Sequence, residues 1–451
     1  MPVATAWKQP AAISAGKPAV ITAPWWRAFA DPALDRLIAQ ALSGNFDLRI
    51  ALSRYDAAMA AARIAGADLY PSVRANVAAE RRKIARREFE QTYGTEQSFE
   101  GPRVNNPTNR FVMATEVGYE IDLWGRVRKA VAAGEAEAQA SAFDLDATRL
   151  SLAAMIARTY FSMRTLDTRL ALGKQQLETA NAALELALRR RQAGVADATE
   201  SLRLQRDIRQ LEEGRQTLLE ERAAAENQLA VLLGKPPAEV RLAVDGSATT
   251  IAVPEVPVRL PVQVLAQRPD VRAAQARLIA AQARGGEAQS AALPRLTLGG
   301  TVGFTTDVLR LLIGSGSFGW AVGPQLQLPL FEGGRIQARI DAAQSEAEQA
   351  QYAYQLAALR AFEEVENALS AVATSAERFR ATDDSLRVLA QMQTDIERQL
   401  QAGRLGRLSL LSAQAGLLSA QEARLLAHQA RLDAAITLYK ALGGGWETAG
   451  G

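Results

Sequence analysis

The chain contains no cysteine and a single histidine, His428. Disulfides, thiolate nucleophiles and Cys-ligated metal sites are therefore excluded. His428 lies in an Ala-rich helical stretch, where a lone imidazole reads as a packing or surface residue rather than a ligand or base. No run of about 18 apolar residues occurs, so no transmembrane helix is predicted. The opening residues, Met1-Pro2-Val3-Ala4-Thr5, show neither the charged n-region nor the apolar h-region of a signal peptide. Neither absence speaks against barrel strands, whose hydropathy signal is far weaker than that of a membrane helix. An excess of one charge is missing too: 52 basic residues face 49 acidic ones, for a net charge of +3. Both signs share the same segments, as at Arg206 and Arg209 followed by Glu212 and Glu213. That pattern reads as a salt-bridged helix surface rather than a nucleic-acid patch.

Proline is missing from two long stretches, Thr108 to Lys235 and Leu330 to the C-terminus. Proline inside a helix costs about 3 kcal/mol. These stretches, rich in Ala, Leu, Arg, Glu and Gln, read as very long helices. They are also copies of each other. Gly125-Arg126 matches Gly334-Arg335, Gln192-Ala193-Gly194 matches Gln401-Ala402-Gly403, and Leu233-Gly234 matches Leu442-Gly443, all at an offset of 209. Asp47-Leu48-Arg49 matches Asp270-Val271-Arg272, and Tyr70-Pro71 matches Leu293-Pro294, at an offset of 223. The repeat organises the chain. Residues 1–46 form an N-terminal segment, 47–234 a first repeat, 235–269 a linker, 270–442 a second repeat and 443–451 a tail. Asp31-Pro32 is a good start for a further short helix, running to about Leu42.

Each repeat parses as short helix, strand, strand, long helical hairpin. The short helices are expected over Asp47–Leu69 and Asp270–Ala292. Strands are expected over about 72–80, 112–123, 295–305 and 318–328, with a polar loop between the first two. Val73, Ala75, Val77 and Ala79 share one face of the first strand. Met113, Val117, Tyr119 and Ile121 oppose Glu116, Glu120 and Asp122 in the second. Leu296, Leu298, Val302 and Phe304 oppose Thr297, Thr301 and Thr305 in the third. Phe318, Trp320, Val322, Leu326 and Leu328 oppose Gln325 and Gln327 in the fourth. Strands of about 9–12 residues cross a bilayer when tilted. Tyr70, Trp124, Phe318 and Phe331 fall near strand ends, as an interfacial aromatic belt does. A half-buried strand in a soluble sandwich alternates identically.

The long helices are expected at about 126–192 with 196–233, and 335–401 with 405–442. The 67 residues of the first long helix span about 100 Å. The second hairpin helix and the short helix together nearly match it, so one long helix can lie beside two shorter ones stacked end to end. Ile156, Met163, Leu170, Leu177 and Leu184 recur every seven positions, as do Val365, Val372, Phe379 and Leu386. Such heptads fit coiled-coil packing or a plain bundle. The acidic group Glu363, Glu364 and Glu366 reads as solvated helix surface rather than an acid/base pair. Four strands cannot close a barrel, and a membrane sheet tolerates no open edge. Several chains are then needed. Three would give twelve strands and a water-filled lumen, lined by Glu116, Glu120, Gln325 and Gln327.

The chain resembles the TolC family, specifically the NodT/OprM-like outer-membrane subunits of tripartite efflux pumps. The resemblance is carried by Trp25-Trp26 with Phe29-Ala30-Asp31-Pro32, by Asp122-Leu123-Trp124-Gly125-Arg126 and by Gln267-Arg268-Pro269-Asp270. It continues in Pro329-Leu330-Phe331-Glu332-Gly333-Gly334-Arg335 and the ending Ala441-Leu442-Gly443-Gly444-Gly445-Trp446. It implies a mainly α subunit with a membrane β-barrel, assembling as a homotrimer whose barrel continues into a periplasmic α-helical barrel. It implies passive export through the Gram-negative outer membrane, with no catalysis, cofactor or metal. The implied partners are a periplasmic adaptor, an inner-membrane RND-type pump and outer-membrane lipid. An exit duct for type I protein secretion and a soluble trimeric coiled-coil scaffold are the alternatives. Gly194 and Gly403 mark the expected periplasmic tips. The resemblance places gating and docking there, with Asp197, Glu200, Arg404 and Arg407 in reach, and Glu200 paired to Arg404 or Arg407 of the neighbouring tip. Ser409 and Ser412 stand where relatives often carry an acidic ring. Relatives commonly begin with a lipidated cysteine, which has no counterpart here.

Overall fold

The structure, a computed structural model, describes residues 7–8, 24–83, 85, 107–242, 251–256, 264 and 266–444. Most of the expected polar loop between the first two strands, parts of the N-terminal segment and linker, and Gly445-Trp446 of the ending lie outside the described residues. A 3-10 turn, Trp25–Phe29, precedes α1 (Pro32–Gly44) and α2 (Phe46–Ala67). Strands β1 (Ser72–Arg82) and β2 (Thr108–Ile121) lead to helices α3 (Arg126–Gln192) and α4 (Ala198–Leu232). The order then repeats as α5 (Pro269–Ser290), β3 (Arg295–Thr306), β4 (Phe318–Gln327), α6 (Arg335–Gln401) and α7 (Arg407–Ala441). Helix lengths are identical in the two halves, at 22, 67 and 35 residues. Among the described residues no helix is long and apolar enough to cross a membrane.

The chain divides into two compact units, one of Met1–Tyr55, Ser141–Gln275 and Ala353–Gly451, the other of Asp56–Ala140 and Ala276–Tyr352. The first unit holds the main core. Trp25, Phe29, Leu34 and Ile38 are buried against Ile156, Phe161 and Met163 of α3, Leu229 of α4 and Ile436 and Tyr439 of α7. Each fully buried side chain of this size is worth about 1.5–3 kcal/mol. Aromatic geometry orders the cluster, with Trp25 stacked on Tyr439 at 5.5 Å and Phe29 tilted on Phe161 at 5.2 Å. Asp31 starts α1 as expected. Its Oδ1 accepts from the Ala33 and Leu34 amides (2.9 and 3.2 Å), and its Oδ2 accepts from Tyr160 Oη and Arg164 Nη1 (3.0 and 2.8 Å).

The repeat also appears in contacts. Buried Asn45 donates from Nδ2 to the Leu232 carbonyl (3.0 Å) while its Oδ1 caps the Leu48 amide (2.9 Å). At the 223-offset position, Arg268 donates from Nη1 to the Ala441 carbonyl at 3.0 Å; Ala441 itself is the 209-offset partner of Leu232. The two repeats thus use different residues to tie the same joint. Close backbone approach recurs there. A Cβ on Gly234 (φ 72°) would run into the Gly44 carbonyl, and one on Gly443 (φ 87°) would lie 3.3 Å from the Gln267 carbonyl oxygen.

The second unit carries one antiparallel sheet in the order β1-β2-β3-β4. Its register aligns Arg74 with Glu116 and Thr301, and Glu120 with Thr297 and Gln325. The opposite face aligns Val77 with Met113, Phe304 and Phe318, and Val73 with Val117. The sheet therefore has one polar and one apolar face. Both β1 and β4 are edges. Beneath the sheet, Gly134 of α3 lets α2 approach: a Cβ there would sit 3.2 Å from Ala62 Cα.

Candidate functional site

The polar face gathers the four residues expected along a lumen. Glu116, Glu120, Gln325 and Gln327 share it, because direct cross-strand partners and residues two apart lie on one side. Glu120 is also ion-paired. It accepts a bidentate pair from Arg126 Nε and Nη2 (2.8 and 2.9 Å), and Arg295 Nε lies 3.5 Å away. Arg126 also reaches Glu287 at 3.4 Å. The physical reason is position: Glu120 sits one residue from the end of β2, beside the first residue of α3, where its carboxylate meets a guanidinium fork. Asp122 completes this strand-to-helix junction by accepting from the Arg128 amide (3.0 Å) near the positive end of α3.

The aromatic residues divide between two levels. Tyr70, Trp124 and Phe331 lie at the helix-side ends of the strands, and Trp124 Nε1 donates to the Pro294 carbonyl at 2.9 Å. Phe318 opens β4 at the far end, edge-on to Phe304 at 5.6 Å. Tyr70 and Phe331 are 71% and 90% exposed, so their rings are available to an interface.

The hairpin tips are built by glycine. Gly194 (φ 72°) and Gly403 (φ 70°) end the long helices. Val195 N donates to the Arg190 carbonyl and Arg404 N to the Gln399 carbonyl, at 3.0 and 2.9 Å, the six-to-one bonds of a Schellman cap. Asp197 caps α4, accepting from the Thr199 and Glu200 amides (2.9 and 3.4 Å). This cap starts α4 at Ala198, two residues later than expected. In the other hairpin the same position is Gly406, with no side-chain cap. Glu200 pairs with Arg190 of its own hairpin, Nη1 to Oε2 at 3.4 Å; within this single chain it does not meet Arg404 or Arg407. Those two arginines are exposed and make no ion pair among the described residues. Ser409 and Ser412 line a groove with Arg190, Leu186, Met392, Ile396 and Leu408.

Sequence reasoning missed two features. Three arginines, Arg189, Arg190 and Arg191, close α3 at its tip, where cations favour the negative helix end. Glu364 is exposed, as its reading as solvated surface expects, but it also accepts from the buried Arg268 at 2.7 Å, and Arg268 grips Asp270 at 2.6 and 3.0 Å. Burial pushes the Asp270 carboxyl up, but the Arg268 hydrogen bonds and charge outweigh it and hold the carboxyl below its ordinary range. The visible signal was Arg-Pro-Asp at a helix start.

A two-faced four-stranded sheet, with each strand pair followed by a 67-residue helix and a glycine-turned 35-residue return, defines a TolC-type outer-membrane channel subunit. Residues 37–235 and 260–444 match the family described as outer membrane efflux protein, and the chain belongs to it. It is 33% identical over 446 residues to the pyoverdine export outer membrane protein OpmQ of Pseudomonas putida, covering 98% of this chain and 92% of that protein. It is 30% identical to the outer membrane protein OprJ of Pseudomonas aeruginosa, covering 99% and 91%. Among solved structures, the outer-membrane channel OprN superposes with a TM-score of 0.85 at 29% identity, covering 99% of this chain and 97% of that one. The open-state MtrE outer membrane channel of Neisseria gonorrhoeae gives 0.83 at 29%, covering 98% and 96%. The chain is an outer-membrane efflux channel component.

Proposed function

We propose that three copies of the chain assemble into one passive exit channel. Twelve strands close as a barrel in the outer membrane, and the helical hairpins form a periplasmic tunnel that receives small molecules from an RND-type inner-membrane pump through an adaptor. One observation carries this reading. The sheet has an apolar face, yet among the described residues β1 and β4 are long unpaired edges of 11 and 10 residues. An unsatisfied backbone group in hydrocarbon costs several kcal/mol, so the edges demand strands from further copies. The lumen then receives Glu116, Gln325 and Gln327, with Glu120 held at the junction. Passage, not catalysis, is the chain's work.

The exposed tips at Gly194 and Gly403 are the docking and gating ends. Arg190–Glu200 braces one hairpin, and the unpaired Arg404 and Arg407 are free to engage a neighbouring copy. Native mass spectrometry from detergent tests the assembly: three chains of 48.5 kDa are expected, and a monomeric mass would sink it. Glu200→Ala tests the brace. It should raise closed-state conductance in planar bilayers, and an unchanged conductance would count against a gating role for this pair.

A further inference from the structure

The connection from β3 to β4, residues 307–317, lies at the end of the sheet away from the helices. It reads Asp-Val-Leu-Arg-Leu-Leu-Ile-Gly-Ser-Gly-Ser, an apolar sequence for a loop leaving a membrane. The loop is held open by its own hydrogen bonds. Leu311 N donates to the Val308 carbonyl (2.9 Å), Ser317 Oγ to the Leu311 carbonyl (2.8 Å), and Thr305 N to the Ser317 carbonyl (2.9 Å). A 3-10 turn, Leu309–Leu311, fixes its middle. This scaffold displays apolar side chains instead of hiding them: Leu309 is 61% exposed, Leu311 51% and Ile313 78%. Exposed apolar groups this close together mark an interaction surface.

We propose that this loop is a lipid anchor, with Leu309, Leu311 and Ile313 among outer-leaflet acyl chains and Arg310 on lipid phosphate. Continuity with the sheet's apolar face chooses the occupant. Phe304 and Phe318 meet at the loop base with ring centroids 5.6 Å apart, in the row of Val77 and Met113 and beside Trp320, which is 71% exposed. The loop extends that face beyond the strand ends. Charge supports the same occupant. Arg310 stands between two leucines and makes no ion pair among the described residues, and an arginine at an apolar boundary lays its stem on hydrocarbon while its guanidinium reaches phosphate. The inference rests on the reading that the apolar face is the outside of the barrel.

The absence of cysteine makes single labels specific. Ile313→Cys and, as a control in mid-strand on the apolar face, Val77→Cys are labelled with bimane in the full chain. The protein is reconstituted in phosphatidylcholine–phosphatidylglycerol vesicles. Nitroxide-labelled lipid should quench both labels, and iodide should quench position 313 several-fold less than a free bimane–cysteine standard. Lipid quenching at 77 with full iodide quenching at 313 would overturn the anchor and leave the barrel reading standing. Shielding at 313 from both quenchers, with 77 still lipid-quenched, would also overturn it by showing that the loops cover one another across the mouth. Loss of lipid quenching at 77 as well would overturn the barrel reading and the anchor together.

Discussion

Arg268 is a buried cation with three partners. It is 5% exposed and serves the Ala441 carbonyl, Asp270 and Glu364 at once. Asp270 and Glu364 keep side-chain exposures of 46% and 55%, so water can solvate them if the arginine is lost; the Ala441 carbonyl has no such escape. Arg268→Met should therefore cost about 2–3 kcal/mol, the range of a charge-assisted hydrogen bond. Glu364→Gln should cost less than about 1 kcal/mol, because a half-exposed pair is screened. Thermal unfolding in detergent reads both, and equal losses would contradict this ranking. His428 gives a pH-dependent counterpart. Burial lowers its pKa, the Arg431 and Arg424 charges lower it further, and its hydrogen bond to the Ile251 backbone only partly compensates. Its ring packs on Phe379 at 5.7 Å, and the Arg424 guanidinium over the same ring pairs with Asp383. As pH falls through about 6.5, the unfolded chain takes up a proton that the folded site refuses, so stability declines until the lowered folded pKa is reached. His428→Gln should flatten the Tm slope between pH 7.5 and 5; an unaltered slope would assign it to other groups.

Among the elements, the four helix-ending glycines separate backbone conformation from packing. Gly194 and Gly403 have left-handed φ and nothing within 4 Å of an added Cβ, whereas Gly234 has the same φ with the Gly44 backbone in the way. Gly194→Ala should cost only the left-handed penalty, about 1–2 kcal/mol. Gly234→Ala must in addition move α1 away from α4 and should leave little folded protein. Comparable Tm losses for the two would refute the distinction. Helix identity, length and duplication were legible in the sequence, because proline's absence, a 209-residue offset and paired glycines are all local or periodic signals. The strands were legible because their two faces alternate. What stayed hidden depends on where backbone carbonyls and distant side chains end up. Asn45 and Arg268 perform the same task with unrelated chemistry, and the ion pairs of Glu120 with Arg126 and Arg295 join residues from different elements. The resemblance pairs Glu200 with Arg404 or Arg407 of the neighbouring tip; its contact with Arg190 inside its own hairpin had no signal in the sequence.

If three copies form one channel, as proposed, the charge at the tips predicts which ions pass most easily. Residues 189–200 and 401–412 hold five arginines, Arg189, Arg190, Arg191, Arg404 and Arg407, against two carboxylates, Asp197 and Glu200. That leaves +3 per chain at the tips, and threefold assembly would triple it around one opening. Ser409 and Ser412 add no negative charge to offset it. Arg189 and Arg190 are partly neutralised by Glu185 and Glu200, so the effective field comes chiefly from Arg191, Arg404 and Arg407. A narrow opening ringed by one sign of charge focuses potential and enriches counter-ions. Reconstituted channels in a KCl gradient should therefore show a reversal potential favouring chloride at about 0.1 M salt. The preference should fade near 1 M, where the Debye length falls to about 3 Å. Replacing Arg404 and Arg407 with glutamate changes the tip by −4 per chain and should reverse the sign. A cation preference in the wild-type channel, or a reversal potential indifferent to that double substitution, would place the selectivity filter elsewhere, with Glu116 on the polar face of the sheet the first residue to test.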